Sequence, residues 1–293
     1  ILNFTYNCLK HLKHHKGEYS LIFVVHFQLA FILPLILFKN KWILDIRTLS
    51  VHKSCVLRTI KNLILFFTTF CYKHITVIDA EIAKKIFLKK YHVLPLGSDK
   101  IGFSIKNFEE LNLLYIGTLN NRNLEVVIDG IKLFLDLNKT TLSFDILGSG
   151  TAEEVGKIEK AIIKNNLEDI VSLHGWVAHK EAEEYFKKCN VGVSFVPINN
   201  YFNNQPPTKL FEYARSGLVV IGTSTKATKK IMNSKIGIMC NDDSKSFSEA
   251  LLNIKMNNIA FDSLFISNYF NDLSWENIVK KNLLPYIKNI INV

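Results

Sequence analysis

Short apolar runs alternate along this chain with longer segments of helical periodicity, and the alternation predicts an α/β fold. Continuous apolar runs are typical of parallel strands that are buried on both faces. The segments between them place apolar residues every three or four positions, as helices covering a sheet do. In the first third, strands are predicted at 21–26, 41–46, 75–78 and 91–96, and helices at 2–16, 27–38, 52–72 and after Asp79.

The pattern pauses at the polar segment Lys100–Glu110 and then restarts, which predicts a hinge between two domains. Strands are predicted at 111–116, 142–147, 170–173, 191–196, 218–222 and 236–240, with helices at 124–138, 151–165, 179–188, 225–233, 244–255 and 274–290. We expect two Rossmann-like, doubly wound parallel-sheet domains, residues 1–105 and 106–273, that face each other across a cleft. The helix within 274–293 is expected to pack back on the first domain.

The net charge of +10 belongs entirely to the first third of the chain. Residues 1–105 carry 15 Lys and Arg against 5 Asp and Glu, whereas residues 106–293 carry 21 of each. Such asymmetry predicts an anionic partner for the first domain. An anionic membrane surface is favoured over nucleic acid, because the basic residues lie beside very apolar segments and no nucleic-acid-binding motif is present.

The run Leu21–Phe38 contains no charged residue and approaches the length of a membrane span. His26, Gln28 and Pro34 interrupt it, so we interpret it as a strand followed by a helix. The basic helix that precedes it lacks the features of a signal peptide. The first residue is Ile rather than Met, which is consistent with missing upstream residues.

Five cysteines are scattered without CxxC spacing, which indicates reduced thiols rather than disulfides or a zinc site. Together with the basic first third, this predicts a cytoplasmic protein that is peripheral on the inner face of the plasma membrane.

The segment Pro206–Gly217 predicts a proline-bounded loop, a helix of about two turns and a glycine stop before a buried strand. Glu212 is the only acid in it. Taken alone, such a glutamate is ordinarily a solvated helix residue. Its position after a loop at the end of a parallel strand also suits a ligand site.

Four ordered motifs carry a resemblance to a known family: Leu113-Leu114-Tyr115-Ile116-Gly117, Phe144-Asp145-Ile146-Leu147-Gly148-Ser149-Gly150, Leu173-His174-Gly175-Trp176-Val177 and Pro207-Thr208-Lys209-Leu210-Phe211-Glu212-Tyr213-Ala214-Arg215-Ser216-Gly217. In this order and spacing they resemble the family 4 glycosyltransferases of the GT-B fold. The resemblance is closer over residues 92–293 than over 20–91. It implies retaining transfer of a sugar from a nucleotide-diphosphate donor that is held mainly by the second domain.

The resemblance also implies roles for individual residues. Glu212 would accept hydrogen bonds from the donor ribose, and the backbone N–H groups near Thr208 and Leu210, after Pro207, would approach the sugar and phosphates. Arg122 and Lys209 would neutralise the departing phosphate, although Lys209 is also compatible with a surface lysine. The remaining implied donor contacts are the glycine turns at Gly117, Thr118, Gly148 and Gly150, and the nucleobase neighbours Trp176 and Val177; a buried core position is the alternative for Trp176.

The sequence departs from the family pattern at several points. Asn204 stands where the family often has a second glutamate, and Thr118 stands where it has an arginine. The first domain is short and lacks the usual glycine-rich loop. Asp45, Arg47 and His26 follow or end its strands and are the candidates for catalysis there, with a sheet-capping ion pair and a satisfied strand-end histidine as the structural alternatives.

These observations predict a glycosyltransferase that moves a sugar from a nucleotide-sugar donor to a lipid-linked or glycan acceptor in bacterial surface polysaccharide assembly, with no cofactor or metal required. A truncated or degenerate domain that binds nucleotide without transfer is the first alternative. An epimerase or phosphorylase on the same fold, and a nucleic-acid-binding module, rank below it.

Overall fold

The computed structural model describes residues 1–15, 17–37, 41–50, 52, 54–138, 140–200, 202–203, 205, 207–257 and 260–291. The chain divides into two compact units. Unit 1 comprises Ile1–Gly97 and Trp275–Val293, and unit 2 comprises Ser98–Ser274. Each unit contains its own parallel sheet.

The sheet of unit 1 has four parallel strands in the order β1-β2-β3-β4. The strands are β1 Leu21–Val25, β2 Lys41–Ile46, β3 His74–Val77 and β4 His92–Val93, and the helices are α1 Leu2–His14, α2 Ile32–Ile36, α3 Cys55–Thr69 and α4 Ala80–Lys85. Its core is built from apolar strand residues such as Leu44, Ile46 and Val77, which are fully buried. The four strands lie side by side in the same order as in the sequence, so the described strands of this sheet contain no switch point.

The sheet of unit 2 has six parallel strands in the order β10-β9-β8-β5-β6-β7. Its strands are β5 Leu111–Ile116, β6 Leu142–Leu147, β7 Val171–Gly175, β8 Val191–Ser194, β9 Val219–Thr223 and β10 Gly237–Cys240; its helices are α5 Leu124–Leu137, α6 Ala152–Lys164, α7 His179–Lys188, α8 Thr208–Arg215, α9 Lys226–Ile231, α10 Ser244–Met256 and α11 Ser263–Tyr269. The order proceeds from β5 outward in both directions, which is the doubly wound arrangement with a switch point between β5 and β8.

The C-terminal segment consists of α12 Trp275–Ile278, a π-helical stretch Val279–Leu283 and α13 Leu284–Ile291. It packs on unit 1: the Tyr286 ring stacks on His92 at 4.3 Å, and Lys41 Nζ donates to the Ile290 carbonyl at 2.6 Å. These contacts tie the last helix to the strands of the first sheet.

Several elements are shorter than predicted. The helix expected at 27–38 is confined to Ile32–Ile36, because residues 28–31 form turns, and Phe38 lies outside the described residues. The strand expected at 91–96 is confined to His92–Val93. Pro95 has no N–H to donate to a neighbouring strand, which explains this early end. None of the helices in the described part of the chain has both the length and the hydrophobicity needed to cross a bilayer.

Candidate active site

The switch point of unit 2 brings the segments after β5 and β8 together. These two strands are neighbours, with Leu113 opposite Val191 and Leu114 opposite Gly192. The chain leaves them in opposite lateral directions, so their carboxyl ends open a crevice, the usual ligand position in open α/β sheets. A cavity of about 160 Å³ lies there, lined by Tyr115, Arg122, Ser194, Phe195, Val196, Phe202, Gln205, Pro207, Thr208, Lys209, Thr225 and Thr228.

Arg122 places a cationic group in this cavity. Its guanidinium carbon lies 4.5 Å from the centroid of the Phe202 ring, a cation–π contact. Its Nη1 atom is buried and has no hydrogen-bond partner among the described residues. A buried unpaired donor is costly, so the group is suited to an anionic ligand that supplies the missing acceptor.

Lys209 places a second cation against the first glycine turn. Its Nζ lies 5.6 Å from the centroid of the Tyr115 ring, and a Cβ added to Gly117 would collide with it. Burial lowers the pKa of Lys209 to about 8, with the Arg122 charge acting in the same direction and Glu212 opposing both. Within the described residues, no carboxylate lies in ion-pair distance of Lys209 or Arg122.

The two glycine turns after β5 and β6 pack directly on each other. Gly117 has a φ of +135° and Gly148 a φ of +156°, a backbone region that favours glycine. A Cβ on Gly148 would collide with the Gly117 carbonyl oxygen. The Gly148 N–H donates to the Gly175 carbonyl at 2.6 Å, which joins the third turn to the pair.

These turns form the wall of a second cavity of about 280 Å³, lined by Ile116, Gly117, Thr118, Leu147, Gly148, Ser149, Trp176 and Val177. Trp176 is 76% exposed, so the buried-core alternative for this residue is wrong. Its ring is available for stacking. Gly150 is not among the lining residues; it packs against Leu119 and Asn120.

Helix α8 is fixed to the sheet by Tyr213, whose hydroxyl accepts the Ile116 N–H at 2.9 Å. The helix begins at Thr208, and Pro207 gives it no side-chain cap. Leu210 is fully buried and its N–H already donates to the Pro207 carbonyl. Among the described residues, no hydrogen bond uses the N–H groups of Thr208 and Lys209, which leaves them for a ligand at the positive end of the helix.

Glu212 lies one turn further along α8 and is partly buried. Burial raises its pKa, while the charges of Lys209 and His179 lower it. Its carboxylate makes no hydrogen bond or ion pair within the described residues, so its acceptor capacity is available. Asn204, the predicted partner of Glu212, lies outside the described residues.

The candidates in unit 1 also converge on one place. Asp45 is fully buried and accepts hydrogen bonds from Thr76 Oγ1 at 2.5 Å and from Arg47 Nε. Arg47 lies over the Trp275 ring at 5.3 Å. This geometry favours the sheet-capping alternative for the Asp45–Arg47 pair. The backbone N–H of His26 donates to the Asp45 carbonyl. The buried Nε2 atom of the His26 ring has no partner among the described residues, and burial lowers the pKa of the ring.

Several residues of the site were not selected from the sequence. Tyr115 and Tyr213 belong to two of the quoted motifs, but their apolar neighbours made them resemble core residues. Phe202 lies 80 positions from Arg122, and no local pattern marks their contact. His179 begins α7 and acts on Glu212 through its charge.

The comparisons with known proteins agree with this architecture. The model of the family described as Glycosyl transferases group 1 matches residues 110–257, just over half of the chain. No curated protein matches the sequence. Similar solved structures include sucrose-phosphate synthase from Thermosynechococcus elongatus, with a TM-score of 0.74 and 16% identity over 97% of this chain and 77% of that chain.

HepE from Anabaena in complex with UDP has a TM-score of 0.73 and 11% identity over 96% of this chain and 81% of that chain. The lipopolysaccharide outer core galactosyltransferase WaaB, in its apo form, has a TM-score of 0.64 and 11% identity over 94% of this chain and 76% of that chain. Two α/β units with parallel sheets define the GT-B fold. With the family match, the chain belongs to the glycosyl transferases group 1 and is a glycosyltransferase.

Proposed function

We propose that the protein transfers a sugar, with retention of anomeric configuration, from a nucleoside-diphosphate sugar held by unit 2 to a lipid-linked or glycan acceptor. The observation that carries the proposal is the pair of cations, Arg122 and Lys209, at the switch point beside the start of α8; among the described residues neither has a carboxylate within ion-pair distance, and Arg122 Nη1 has no hydrogen-bond partner. Two neighbouring cations without an ion-paired acid among the described residues make a site for a multiply charged anion.

The diphosphate is assigned to this cavity. Arg122 would supply its free Nη1 to a phosphate oxygen, and Lys209 would add a second charge from above Gly117. The free N–H groups of Thr208 and Lys209 at the start of α8 favour negative charge for the same reason. These groups act most strongly as the phosphate departs and its charge grows, which is how they would lower the barrier.

The nucleoside is assigned to the turns around the second cavity. Glu212 would accept hydrogen bonds from the two ribose hydroxyls, because a carboxylate offers two acceptor oxygens to a vicinal diol. Trp176 would stack on the base and Val177 would contact it through its backbone. The UDP named for the HepE complex supports a donor of this class.

Retention is assigned to a same-face reaction, in which the departing phosphate oxygen takes the proton of the acceptor hydroxyl as the new bond forms. Under this proposal the protein supplies position and charge and needs no side-chain base. No metal is needed for the charge balance, since Arg122 and Lys209 offset the diphosphate.

Acceptor recognition is assigned to unit 1, at an anionic membrane surface. Unit 1 carries 17 Lys and Arg and 5 Asp and Glu, a net charge of +12, whereas unit 2 carries 19 and 21, a net charge of −2. Basic residues beside apolar surface favour anionic lipid. The name of WaaB supports surface polysaccharide synthesis as the setting.

A panel of nucleoside diphosphates tested by thermal shift and calorimetry checks the donor site. Glu212→Ala is expected to weaken binding of the preferred diphosphate by roughly tenfold to a hundredfold, because it removes charge-assisted hydrogen bonds. Glu168→Ala, at an exposed position of the same unit, is the matched control and should bind normally.

Equal affinity of wild type and Glu212→Ala for the diphosphate would show that Glu212 does not contact the donor. Binding of a diphosphate without turnover of any nucleoside-diphosphate sugar, tested with membrane extracts as acceptor, would instead favour the alternative of a nucleotide-binding domain that no longer transfers.

A further inference from the structure

Helix α3 of unit 1 has its apolar side facing outward. Five side chains at spacings of four, three, four and three residues form one stripe along α3 and its C-cap residue, the α3 stripe: Val56, Ile60, Leu63, Phe67 and Phe70. Each is between 45% and 72% exposed. At 100° per residue these positions lie within a narrow sector of the helix surface.

The opposite side of α3 is the buried one, and it is more polar than the exposed stripe. Its buried residues are Leu65, Thr68 and Thr69. The Thr68 and Thr69 hydroxyls donate to carbonyls of the preceding turn, at 2.7 and 2.6 Å, so their burial is satisfied locally. A helix that packs on a core normally buries its apolar face. The reversed polarity of α3 therefore points to a partner for the stripe.

The charge of unit 1 selects the kind of partner. Its net charge of +12 attracts an anionic surface and repels a second copy of the same unit. Helix α3 itself contains Arg58 and Lys61 and no acid, so two such helices pairing through their stripes would lack complementary charges.

The length of α3 sets the mode of binding. With 15 residues it extends about 22 Å, which is short of a bilayer crossing. A helix of this length with an apolar stripe lies in the plane of the interface and inserts its apolar side chains among the lipid headgroups.

We propose that the α3 stripe is the surface by which unit 1 docks on an anionic lipid bilayer, with Phe67 and Phe70 inserted at one end. This assignment rests on the proposed membrane-linked acceptor. It identifies α3 as the element that attaches the protein to the membrane. Its test needs neither a sugar donor nor an acceptor.

The full chain is tested by co-sedimentation with phosphatidylcholine vesicles, with and without phosphatidylglycerol. The double variant Ile60→Gln with Phe67→Gln removes two members of the stripe. The matched control, Phe87→Gln with Leu137→Gln, removes two exposed apolar residues elsewhere, which are 80% and 83% exposed. We expect the stripe variant to lose about tenfold or more in partitioning to anionic vesicles, and the control to bind like wild type.

Wild type should also bind pure phosphatidylcholine vesicles more weakly than vesicles with phosphatidylglycerol, and it should bind the latter more weakly at high salt than at low salt, because its positive charge contributes to attachment. Equal binding by the stripe variant and wild type overturns the proposal, as does failure of wild type to bind anionic vesicles. A wild-type dimer in sedimentation that the stripe variant dissociates, without vesicle binding, also overturns it and assigns the stripe to a second copy.

A nucleoside diphosphate thermal shift is measured on every variant. The stripe variant should retain the shift of wild type, which shows that unit 2 is folded. The far-UV circular dichroism spectrum and the unit 1 calorimetric transition should also match wild type, which shows that unit 1 is folded. Loss of that shift in wild type itself would count against the proposed donor site and leave the docking result to stand separately.

Discussion

At the scale of single residues, the site is defined by side chains that lack partners. Among the described residues, Arg122 Nη1 is buried and unpaired, Lys209 lies over a glycine turn with no ion-paired acid, and the Glu212 carboxylate accepts no hydrogen bond. Each of these arrangements costs stability in the free protein. Groups kept in this state are typical of ligand sites, where the ligand completes their interactions.

Lys209 gives a prediction about pH. Its pKa is lowered from 10.5 to about 8 in the folded protein, so it loses its charge as the pH rises through about 8. An anionic diphosphate favours the charged form. Affinity for the diphosphate, measured by calorimetry, should therefore fall as pH rises above 8, and this fall should be absent in Lys209→Arg, which stays protonated.

The same shift has a consequence for stability. Between about pH 8 and 10.5 the unfolded chain binds the Lys209 proton and the folded chain does not, so this group makes stability rise with pH in that window. Lys209→Met should remove the rise and stabilise the free protein near neutral pH by about 1–3 kcal/mol. Unchanged pH dependence of both binding and unfolding in the variants would show that Lys209 is not buried beside the ligand.

At the scale of elements, the strands of unit 2 could be predicted closely from the sequence. Runs such as Leu111–Ile116 and Leu142–Leu147 are mainly apolar, which is typical of a parallel strand covered on both faces. Glycine at the following turns marked the carboxyl edge of the sheet. The location of the cavity at the switch point then depended on strand order, which local sequence does not encode.

The contacts that complete the site could not be predicted in the same way. The Phe202–Arg122 contact joins two loops far apart in sequence. The outward apolar face of α3 was also missed. The spacing of apolar residues predicts that a helix has an apolar side, but it does not determine whether that side packs on the core. Pro95 ended the fourth strand early, an effect that its missing N–H makes predictable in retrospect.

The attachment of α8 to the sheet gives the prediction at this scale. Gly192 on β8 leaves space for the Tyr213 ring, and a Cβ there would collide with the Tyr213 side chain. Gly192→Ala should displace α8, break the Tyr213–Ile116 hydrogen bond and destabilise the protein by roughly 1–3 kcal/mol. Diphosphate affinity should fall with it, because Lys209 and Glu212 move with the helix.

Gly156 on α6 provides the control for that substitution. No atom lies within 4 Å of a Cβ placed there, so Gly156→Ala should stabilise the protein by about 0.5–1 kcal/mol through helix propensity. Chemical denaturation and calorimetry measure both effects. Full diphosphate affinity in Gly192→Ala would mean that the position of α8 is not set by Tyr213.

At the scale of the whole molecule, the two units differ in charge and in assigned ligand. Unit 1 has a net charge of +12 and its own core. Unit 2 has a net charge of −2 and contains the cavities lined by Arg122, Lys209, Trp176 and Val177. Self-repulsion destabilises a compact unit of high net charge and is screened by salt. A ligand stabilises only the unit that binds it.

Differential scanning calorimetry should therefore resolve two transitions that respond to different additions. Raising the salt concentration from low to near-physiological should raise the midpoint of the unit 1 transition by a few degrees, because screening relieves repulsion among its basic residues. A saturating nucleoside diphosphate should raise the other midpoint. The Glu212→Ala variant should lose the nucleotide response and keep the salt response. A single transition that shifts equally with both additions would show that the units unfold together. A salt response confined to the nucleotide-binding transition would contradict the assignment of the electrostatic repulsion to unit 1.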